Sequence, residues 1–265
     1  MSVACIIPAR YASSRYPGKP LAMLRGATGL SQSLIERSWL AAKAVSGVDQ
    51  VYVATDDDRI KEAAEGFGAQ VLMTSPDCQN GTERCAEAMS LLGAVEMIVN
   101  LQGDAPLTPA WFLEDLISGL RNAPDAGLAT PVLRCDGETL AALKADRAAG
   151  RVGGTTAVFD RDNHALYFSK EVVPFTTQDY APDADTPVFH HVGVYAYRPD
   201  ALAAYPSWNQ GPLEQLEGLE QLRFLENGHN VLCVEVEAKG RKFWELNNPE
   251  DVPRIEAMLK DMNQP

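Results

Sequence analysis

Short, continuous apolar runs alternate with helical patterns over the first 125 residues, and this alternation restricts the possible folds more than any other feature. An apolar run of four or five residues that ends at a proline or a polar loop is typical of a strand covered on both faces in a parallel sheet. The predicted strands span residues 3–7, 51–55, 70–73 and 97–101, and the predicted helices span residues 31–45, 57–67, 82–92 and 111–120. Because parallel neighbours are joined by crossover helices, the pattern predicts an α/β fold.

The pattern changes after residue 125. Strands are predicted at residues 128–133, 155–159, 165–168, 192–197 and 231–236, and loops rather than regular helices separate the first four. Helices are predicted at residues 213–226 and at residues 249–262, the second with Asn247 or Asn248 as its N-cap. We therefore expect a single domain over residues 1–265: a three-layer α/β fold with a mostly parallel sheet and a mixed α+β extension in the second half.

The charge balance limits the partners of this chain. Its 265 residues include 36 acidic and 23 basic side chains, a formal net charge of −13. An acidic surface disfavours generic binding to nucleic acid or to anionic membranes. No apolar run reaches the roughly 20 residues needed to cross a bilayer, and the N-terminal segment lacks the pattern of a signal peptide. We expect a cytoplasmic protein whose five scattered cysteines are reduced thiols.

Three cations cluster in the loop that follows the first predicted strand. Arg10, Arg15 and Lys19 lie within residues 8–20, among small residues, hydroxyls and backbone donors. Ligands of open α/β sheets bind at the carboxyl ends of the strands, where such a loop can hold phosphate oxygens. A solvated basic loop is the alternative, but a triple cluster after a buried strand favours a triphosphate site. The loop has neither the spacing of a Walker motif nor that of a dinucleotide fingerprint.

Two further segments can reach the same edge of the sheet. Asp104 follows the fourth predicted strand, and its carboxylate among phosphates is suited to Mg²⁺, although an Asx-turn explains it equally well from the residues alone. Residues 80–84 place a flexible glycine, a hydroxyl, a carboxylate and a guanidinium just before a helix. Their simplest role is an N-cap provided by Thr82.

The segment IPARYASSRYPGKPL, residues 7–21, closely resembles the signature loop of the nucleotidyltransferases that make CMP-activated acidic sugars. Within these enzymes, the sequence is most similar to the family of 3-deoxy-manno-octulosonate cytidylyltransferases. The resemblance continues in order through nearly the whole chain, at residues 53–57, 80–84, 99–104, 165–169, 191–195, 212–214 and 219–223. It implies a fold of the nucleotide-diphospho-sugar transferase type.

The resemblance also implies roles for individual residues. Residues 1–125 would form a nucleotide-binding half, and residues 126–265 a half that binds the sugar and forms a homodimer. The implied nucleotide-binding residues are Pro8, Ala9, Arg10, Ser13, Ser14, Arg15, Lys19, Asn80, Gly81, Thr82, Arg84 and Gln102. The implied sugar-binding residues are His191, Tyr195, Glu214 and Gln221. Asp104 and Asn247 would hold Mg²⁺, and Arg10, Lys19 and Asp104 would be catalytic.

The chain departs from the family pattern at the implied metal site. Ala105 replaces a glutamate that the family usually has after the aspartate, and Asn247 replaces the second metal-binding carboxylate. An asparagine offers a carbonyl oxygen but no charge, so the number of metal ions and their affinity are open. Asn248 or Glu245 can compensate if the segment is shifted.

The chain also departs from the pattern on the implied sugar side. His190 stands where the family has a basic residue before the histidine, and no lysine is found near Thr156. The carboxylate of an acidic sugar favours cationic partners. Either Lys170 and Arg198 replace the missing cations, or the acceptor is a different acid.

The implied reaction is transfer of a cytidylyl group. The anomeric hydroxyl of the sugar attacks the α-phosphorus of CTP, and pyrophosphate leaves without a covalent enzyme intermediate. Alternatives are a cytidylyltransferase for another keto-sugar or a phosphonate, and an inactive relative that only binds nucleotide, which the loss of charge at Asn247 leaves open. An NAD-dependent dehydrogenase shares the sheet architecture but requires a glycine fingerprint that this chain lacks.

Overall fold

The computed structural model describes residues 2–13, 16–152, 154–241, 246 and 248–264. The strands in the described residues are β1 (Ser2–Ala9), β2 (Met23–Arg25), β3 (Ser31–Ser33), β4 (Gln50–Thr55), β5 (Gln70–Met73), β6 (Val95–Leu101), β7 (Ala126–Asp136), β8 (Thr155–Phe159), β9 (Ala165–Ser169), β10 (Asp185–His191), β11 (Val194–Tyr197) and β12 (Asn230–Glu235). The α-helices there are α1 (Leu34–Lys43), α2 (Asp58–Gly66), α3 (Gly81–Ser90), α4 (Ala110–Asn122), α5 (Gly137–Ala148), α6 (Pro199–Ala204), α7 (Pro212–Glu217), α8 (Leu222–Glu226) and α9 (Val252–Asp261).

One ten-stranded sheet runs through both halves of the described chain. Its strand order is β5-β4-β1-β6-β11-β7-β10-β8-β9, and β12 pairs with β7. The first four strands of this order are parallel, as are β12 and β7. The antiparallel pairings make β11, β10 and β9 run opposite to the other seven strands. The sheet is therefore mostly parallel in its first half and mixed in its second.

Helices cover both faces of this sheet because its central strands are apolar on both sides. In β1, Cys5 and Ile7 face a core shared with residues of α1, α2 and α4. Ile6, between them, faces the opposite core, which residues of α3, α6 and α8 complete. Alternating side chains of a strand point to opposite faces, so a continuous apolar run requires a helix layer on each side. This arrangement gives the predicted three layers.

Side-chain caps start several of the helices that border the sheet. Ser33 caps α1, Asp57 caps α2, Asn80 caps α3 and Asp136 caps α5, each accepting a hydrogen bond from a backbone N–H of the first turn. The N-cap of α3 is thus Asn80, and the expectation that Thr82 caps this helix was wrong. The first turn of α3 begins directly after Asn80, and this places Gly81 at the sheet edge.

Several predicted elements of the second half differ in the structure. The helix predicted at residues 213–226 is two helices, α7 and α8, because Gly218 takes a left-handed conformation with φ of 63° and ends α7. The regular helix α5 and the strand β10 were not predicted. The helix predicted from residue 249 begins as a short 3-10 turn capped by Asn248, followed by α9. The start predicted for the first helix, residues 31–33, is the strand β3.

Among the described residues, no helix combines the length and the apolar character required to span a membrane.

Candidate active site

A cavity of about 220 Å³ lies at the carboxyl ends of β1 and β6, next to the start of α3. It is lined by residues of three segments: the loop after β1, the approach to α3, and the loop after β6. The described lining residues are Pro8, Ala9, Arg10, Ser13, Lys19, Pro20, Cys78, Gln79, Asn80, Gly81, Arg84, Gln102, Gly103 and Asp104. The structure thus brings together nine of the predicted nucleotide-binding residues and Asp104. Ser14 and Arg15 lie outside the described residues.

Lys19 and Asp104 form an ion pair inside this cavity. The Lys19 Nζ atom lies 2.6 Å from Asp104 Oδ2, and the two side chains are 16% and 27% exposed. Lys19 opens a 3-10 turn after Gly18, whereas Asp104 follows β6, so the contact joins two loops that are 85 residues apart in sequence. A cation and an anion are therefore held at the same point of the cavity, and Arg10 lies exposed at its rim.

The loops on both sides of this ion pair approach each other closely. A Cβ atom on Gly103 would lie 2.8 Å from the carbonyl oxygen of Pro8, so only glycine fits between the ends of β1 and β6. Leu246 donates a backbone hydrogen bond of 3.0 Å to the carbonyl oxygen of Asp104. This contact places Leu246 next to Asp104.

The guanidinium of Arg84 is a buried positive charge in the lining of the cavity. Arg84 is 3% exposed, and its Nη2 atom lies 3.2 Å from Asp56 Oδ1. Its Nη1 atom donates to the hydroxyl of Thr74. Because both partners fix its direction, Arg84 presents a rigid charge to the cavity.

The start of α3 supplies polar groups on the remaining side. Asn80 Oδ1 accepts from the backbone N–H of Glu83 at 2.8 Å, and Asn80 Nδ2 donates to the hydroxyl of Tyr205. The side-chain amide of Gln102 lies against the Cα of Gly81. The polar groups at this helix start and a fixed side-chain amide are suited to phosphate oxygens or to the edge of a base. Thr82 is buried instead, with its hydroxyl 2.8 Å from that of Tyr197, and does not line the cavity.

Glu220 lies in the segment 219–223, for which the sequence predicts no specific role at this position, and the structure places it next to the cavity. Its carboxylate accepts from the backbone N–H of Thr82 at 3.0 Å and from Gln102 Nε2 at 3.3 Å. Withdrawal of this carboxyl group from water raises its pKa above the ordinary value. Its contacts span about 120–140 residues of sequence, so local spacing could not reveal them.

Cys78 lines the cavity but is a poor nucleophile. Its thiol donates to Glu87 Oε2 at 3.1 Å. Burial, together with this carboxylate, raises the pKa of the Cys78 thiol to about 12. Since only the thiolate attacks efficiently, Cys78 is not suited to act as a nucleophile in this cavity.

The predicted sugar-binding residues lie outside the cavity lining. Tyr195 and Gln221 are buried, and the Tyr195 hydroxyl donates to Gln221 Oε1 at 3.1 Å. Among the described residues, the buried Gln221 Nε2 atom has no hydrogen-bond partner. Gln221 follows Glu220, which contacts Gln102 in the cavity. These two predicted residues are therefore neighbours of this cavity, and their role stays a prediction.

His191 and Glu214 are each satisfied by internal partners. The Nε2 atom of His191 lies 2.9 Å from Thr130 Oγ1, and burial lowers the pKa of this histidine to about 3. Glu214 forms a buried ion pair with Arg223, with both hydrogen bonds at 2.7 Å. Neither side chain opens to the cavity, so their roles in sugar binding also stay predictions.

The two alternative cations on the sugar side differ in their surroundings. Arg198 donates to the carbonyl oxygens of Leu120, Ala123 and Ala126, so its guanidinium is used at the end of α4. Lys170 Nζ lies near Gly218, beside the break between α7 and α8. Of the two, Lys170 remains the candidate.

The metal-binding prediction rests on Asp104 within the described residues. No group of three or more His, Cys, Asp or Glu side chains is arranged there as a metal centre. Asn247 and Glu245 lie outside the described residues, and Asn248 caps the 3-10 turn in a capping box with Asp251. Mg²⁺ commonly takes only one or two carboxylates, with waters and substrate phosphates as its other ligands. One carboxylate among cations suited to phosphate therefore fits Mg²⁺ bound together with a nucleotide.

Comparison with known proteins agrees with this geometry. A family model described as cytidylyltransferase matches residues 4–235. The chain is 45% identical over 260 residues to a 3-deoxy-manno-octulosonate cytidylyltransferase of Maricaulis maris (strain MCS10), covering 98% of this chain and 97% of the relative. It is 41% identical over 264 residues to an 8-amino-3,8-dideoxy-manno-octulosonate cytidylyltransferase of Shewanella frigidimarina (strain NCIMB 400), covering 98% and 99%.

A solved structure extends the comparison to the fold. CMP:2-keto-3-deoxy-manno-octonic acid synthetase, in complex with CTP, superposes with a TM-score of 0.83 and 32% identity, covering 99% of this chain and 100% of the other. The predicted fold class, an α/β fold with a mostly parallel sheet between helix layers, is thereby confirmed.

Proposed function

Because this chain belongs to the family of 3-deoxy-manno-octulosonate cytidylyltransferases and is a CTP-dependent nucleotidyltransferase, we propose that its acceptor is a 3-deoxy-manno-octulosonate-like acidic sugar. The anomeric hydroxyl of the sugar attacks the α-phosphorus of CTP, the bond to the β-phosphate oxygen breaks, and CMP-sugar and pyrophosphate form. The observation that carries the proposal is the cavity in which the Lys19–Asp104 ion pair lies beside Arg10 and the start of α3.

The triphosphate lies along the loop after β1 in this proposal. Arg10 grips phosphate oxygens with its planar guanidinium, and Lys19 acts as a compact point charge. Arg15 of the same loop was predicted to join them. Charge builds up on the phosphate oxygens during transfer, so cations held in place before the reaction lower the barrier by positioning and electrostatic stabilisation.

The base lies at the start of α3. Asn80, Gly81 and Gln102 offer amide and backbone groups that can pair with the edge of a cytosine. Gln102 is held by Glu220, so its amide is oriented before the nucleotide binds. Arg84 faces the same space with a charge fixed by Asp56 and Thr74, which suits a phosphate next to the ribose.

We propose Mg²⁺ as the cofactor, held by Asp104 and by the carbonyl oxygen of Asn247. When bound, Mg²⁺ neutralises phosphate charge and favours deprotonation of the attacking hydroxyl. Asp104 is paired with Lys19 in the structure. In this proposal the triphosphate gives Lys19 a new anionic partner, and the Asp104 carboxylate then serves Mg²⁺. After this exchange of partners, Lys19 is paired with a phosphate and Asp104 with the metal ion, so both charges stay compensated.

The acceptor is proposed to bind next to the cavity, on the side of residues 126–265. Gln221 Nε2 is buried and has no partner in the part of the chain that the structure describes, so it is a donor suited to a sugar oxygen. Tyr195 is bonded to the same side chain. A second acceptor, the 8-amino-3,8-dideoxy sugar, is favoured by the relatives of that name at 41% identity. Other keto-sugars and phosphonates are the remaining acids to test.

The direct experiment incubates the purified protein with CTP, Mg²⁺ and one acid at a time. Pyrophosphate is measured by a coupled assay, and the nucleotide sugar is identified by mass spectrometry. We expect equal amounts of pyrophosphate and CMP-sugar with 3-deoxy-manno-octulosonate or its 8-amino analogue, and none without acid. Turnover only with an unrelated acid would contradict the proposed acceptor. Binding of CTP without turnover across the whole panel would contradict the activity.

We also propose that the protein is a homodimer formed through residues 126–265. Large apolar side chains are widely exposed in this half: Leu166 on β9, Phe175 in the following loop and Leu216 on α7. Light scattering coupled to gel filtration tests this, with a monomer mass as the contradicting result. The cytoplasmic location expected from the sequence stays a prediction.

A further inference from the structure

The loop that holds the proposed phosphate-binding cations closes on itself at Tyr11 and Gly18. The backbone N–H of Gly18 donates to the carbonyl oxygen of Tyr11 at 2.9 Å. Gly18 has φ of +72°, and a Cβ there would lie 3.0 Å from the Tyr11 ring. Arg10 directly precedes this closure and Lys19 directly follows it. The direction of both cations therefore depends on how Tyr11 is held.

Tyr11 is held from outside the loop by Arg59. The guanidinium carbon of Arg59 lies 3.3 Å from the centroid of the Tyr11 ring, a stacked cation–π contact. Arg59 is in turn fixed by Asp57, which accepts from Arg59 Nε at 3.0 Å and from Nη2 at 2.6 Å. Asp57 is the N-cap of α2, so the contacts link the loop closure to the start of a helix.

Arg59 has no place in the cavity. It is not among the described lining residues, and its side chain is 59% exposed. The N–H groups of its guanidinium donate to Asp57, and the guanidinium lies over the ring of Tyr11. An exposed arginine bound in this way contributes little to the core, but it restricts the motion of the ring that it covers.

We propose that Arg59 is a positioning residue for nucleotide binding: by stacking on Tyr11 it fixes the Tyr11–Gly18 closure from which Arg10 and Lys19 extend. The inference rests on the proposed function, because it assumes that these cations bind the triphosphate. Loss of the stacking lets the closure move before CTP binds, so part of the binding energy is spent on ordering the loop. Affinity for CTP falls, whereas affinity for the acid does not.

The test measures CTP binding by calorimetry and the KM values of both substrates for Arg59→Ala and Arg59→Lys. Lys61→Ala is the matched control, since it removes one positive charge from the same helix. From the usual strength of an exposed cation–π contact, we expect Arg59→Ala to weaken CTP binding about 2- to 5-fold. The KM for the acid and the melting temperature stay at the wild-type values. Arg59→Lys recovers part of the loss, and Lys61→Ala binds CTP as wild type does.

A double-mutant cycle identifies the route of the effect. In a Tyr11→Leu background, Arg59→Ala is expected to cause no further loss of CTP affinity. The proposal is overturned if Arg59→Ala binds CTP as tightly as Lys61→Ala does. It is also overturned if Arg59→Ala causes its full loss of CTP affinity in the Tyr11→Leu background. In both cases, binding of CTP by the wild type leaves the proposed function intact. If wild-type protein itself does not bind CTP, both proposals fail.

Discussion

Replacement of Lys19 by methionine separates catalysis from stability most sharply. The substitution keeps the length and apolar stem of the side chain but removes the charge that lies 2.6 Å from Asp104. Both partners are part-exposed, at 16% and 27%, and ion pairs of this kind contribute about 0–1 kcal/mol to folding. We therefore expect the free energy of unfolding to change by less than about 1 kcal/mol.

The effect on turnover is expected to be much larger. Removing one positioned group that stabilises transition-state charge typically costs 10²- to 10³-fold in rate, about 3–4 kcal/mol of barrier. We expect Lys19→Met to lower kcat/KM for CTP by this factor. Pyrophosphate release gives the rate, and urea denaturation gives the stability. Lys260→Met, an exposed change on α9, is the matched control and should leave both values near wild type.

Two results would refute this reasoning. If Lys19→Met kept kcat/KM within about 3-fold of wild type, Lys19 would not contact charge that develops in the reaction. If it lowered the free energy of unfolding by more than about 3 kcal/mol, the ion pair would be a structural element rather than a preformed part of the site.

Two further predictions concern the residues beside the site. Glu214→Gln removes the buried carboxylate that pairs with Arg223, which keeps its ion pair with Glu83 and its cation–π contact with Tyr205. It should lower the free energy of unfolding by about 3 kcal/mol, as measured by urea denaturation. A change below about 1 kcal/mol, together with a raised KM for the acid, would instead favour direct sugar binding by Glu214. Burial holds the pKa of His191 at about 3, whereas the pKa of a histidine in the unfolded chain is near 6.5. Between these two pH values the unfolded state binds more protons than the folded state. The free energy of unfolding therefore falls as the pH decreases from about 6.5 toward 3. The wild type should lose about 2 kcal/mol more than His191→Asn between pH 7.5 and pH 5; equal losses would contradict the buried neutral state.

The sequence was sufficient for the parts of the fold and site that depend on local pattern. The apolar run of β1 required two covering layers, and the cation-rich loop after it had to lie at the carboxyl end of a strand. Arg10, Lys19 and Asp104 were predicted to meet, and the structure places them around one cavity. The family resemblance, based on motifs in their order along the chain, is confirmed by the comparisons.

The errors in the prediction come partly from local signals within a segment and partly from contacts between distant segments. Gly218 interrupts an otherwise helical pattern, and its left-handed backbone ends α7, a signal that the glycine itself offered. α5 is missing from the prediction because its apolar positions are few and alanine-rich. The pairing of Glu214 with Arg223, and the contact of Glu220 with Gln102, join distant segments. No spacing rule connects such residues before the sheet is assembled.

A crystal structure of the protein with CTP and Mg²⁺ tests the central claim most directly. We expect the triphosphate between Arg10 and Lys19, the cytosine beside Asn80 and Gly81, and Lys19 moved from Asp104 toward a phosphate oxygen. Nucleotide bound at another face of the sheet, or an empty cavity at saturating CTP, would contradict the assignment of this cavity as the nucleotide site.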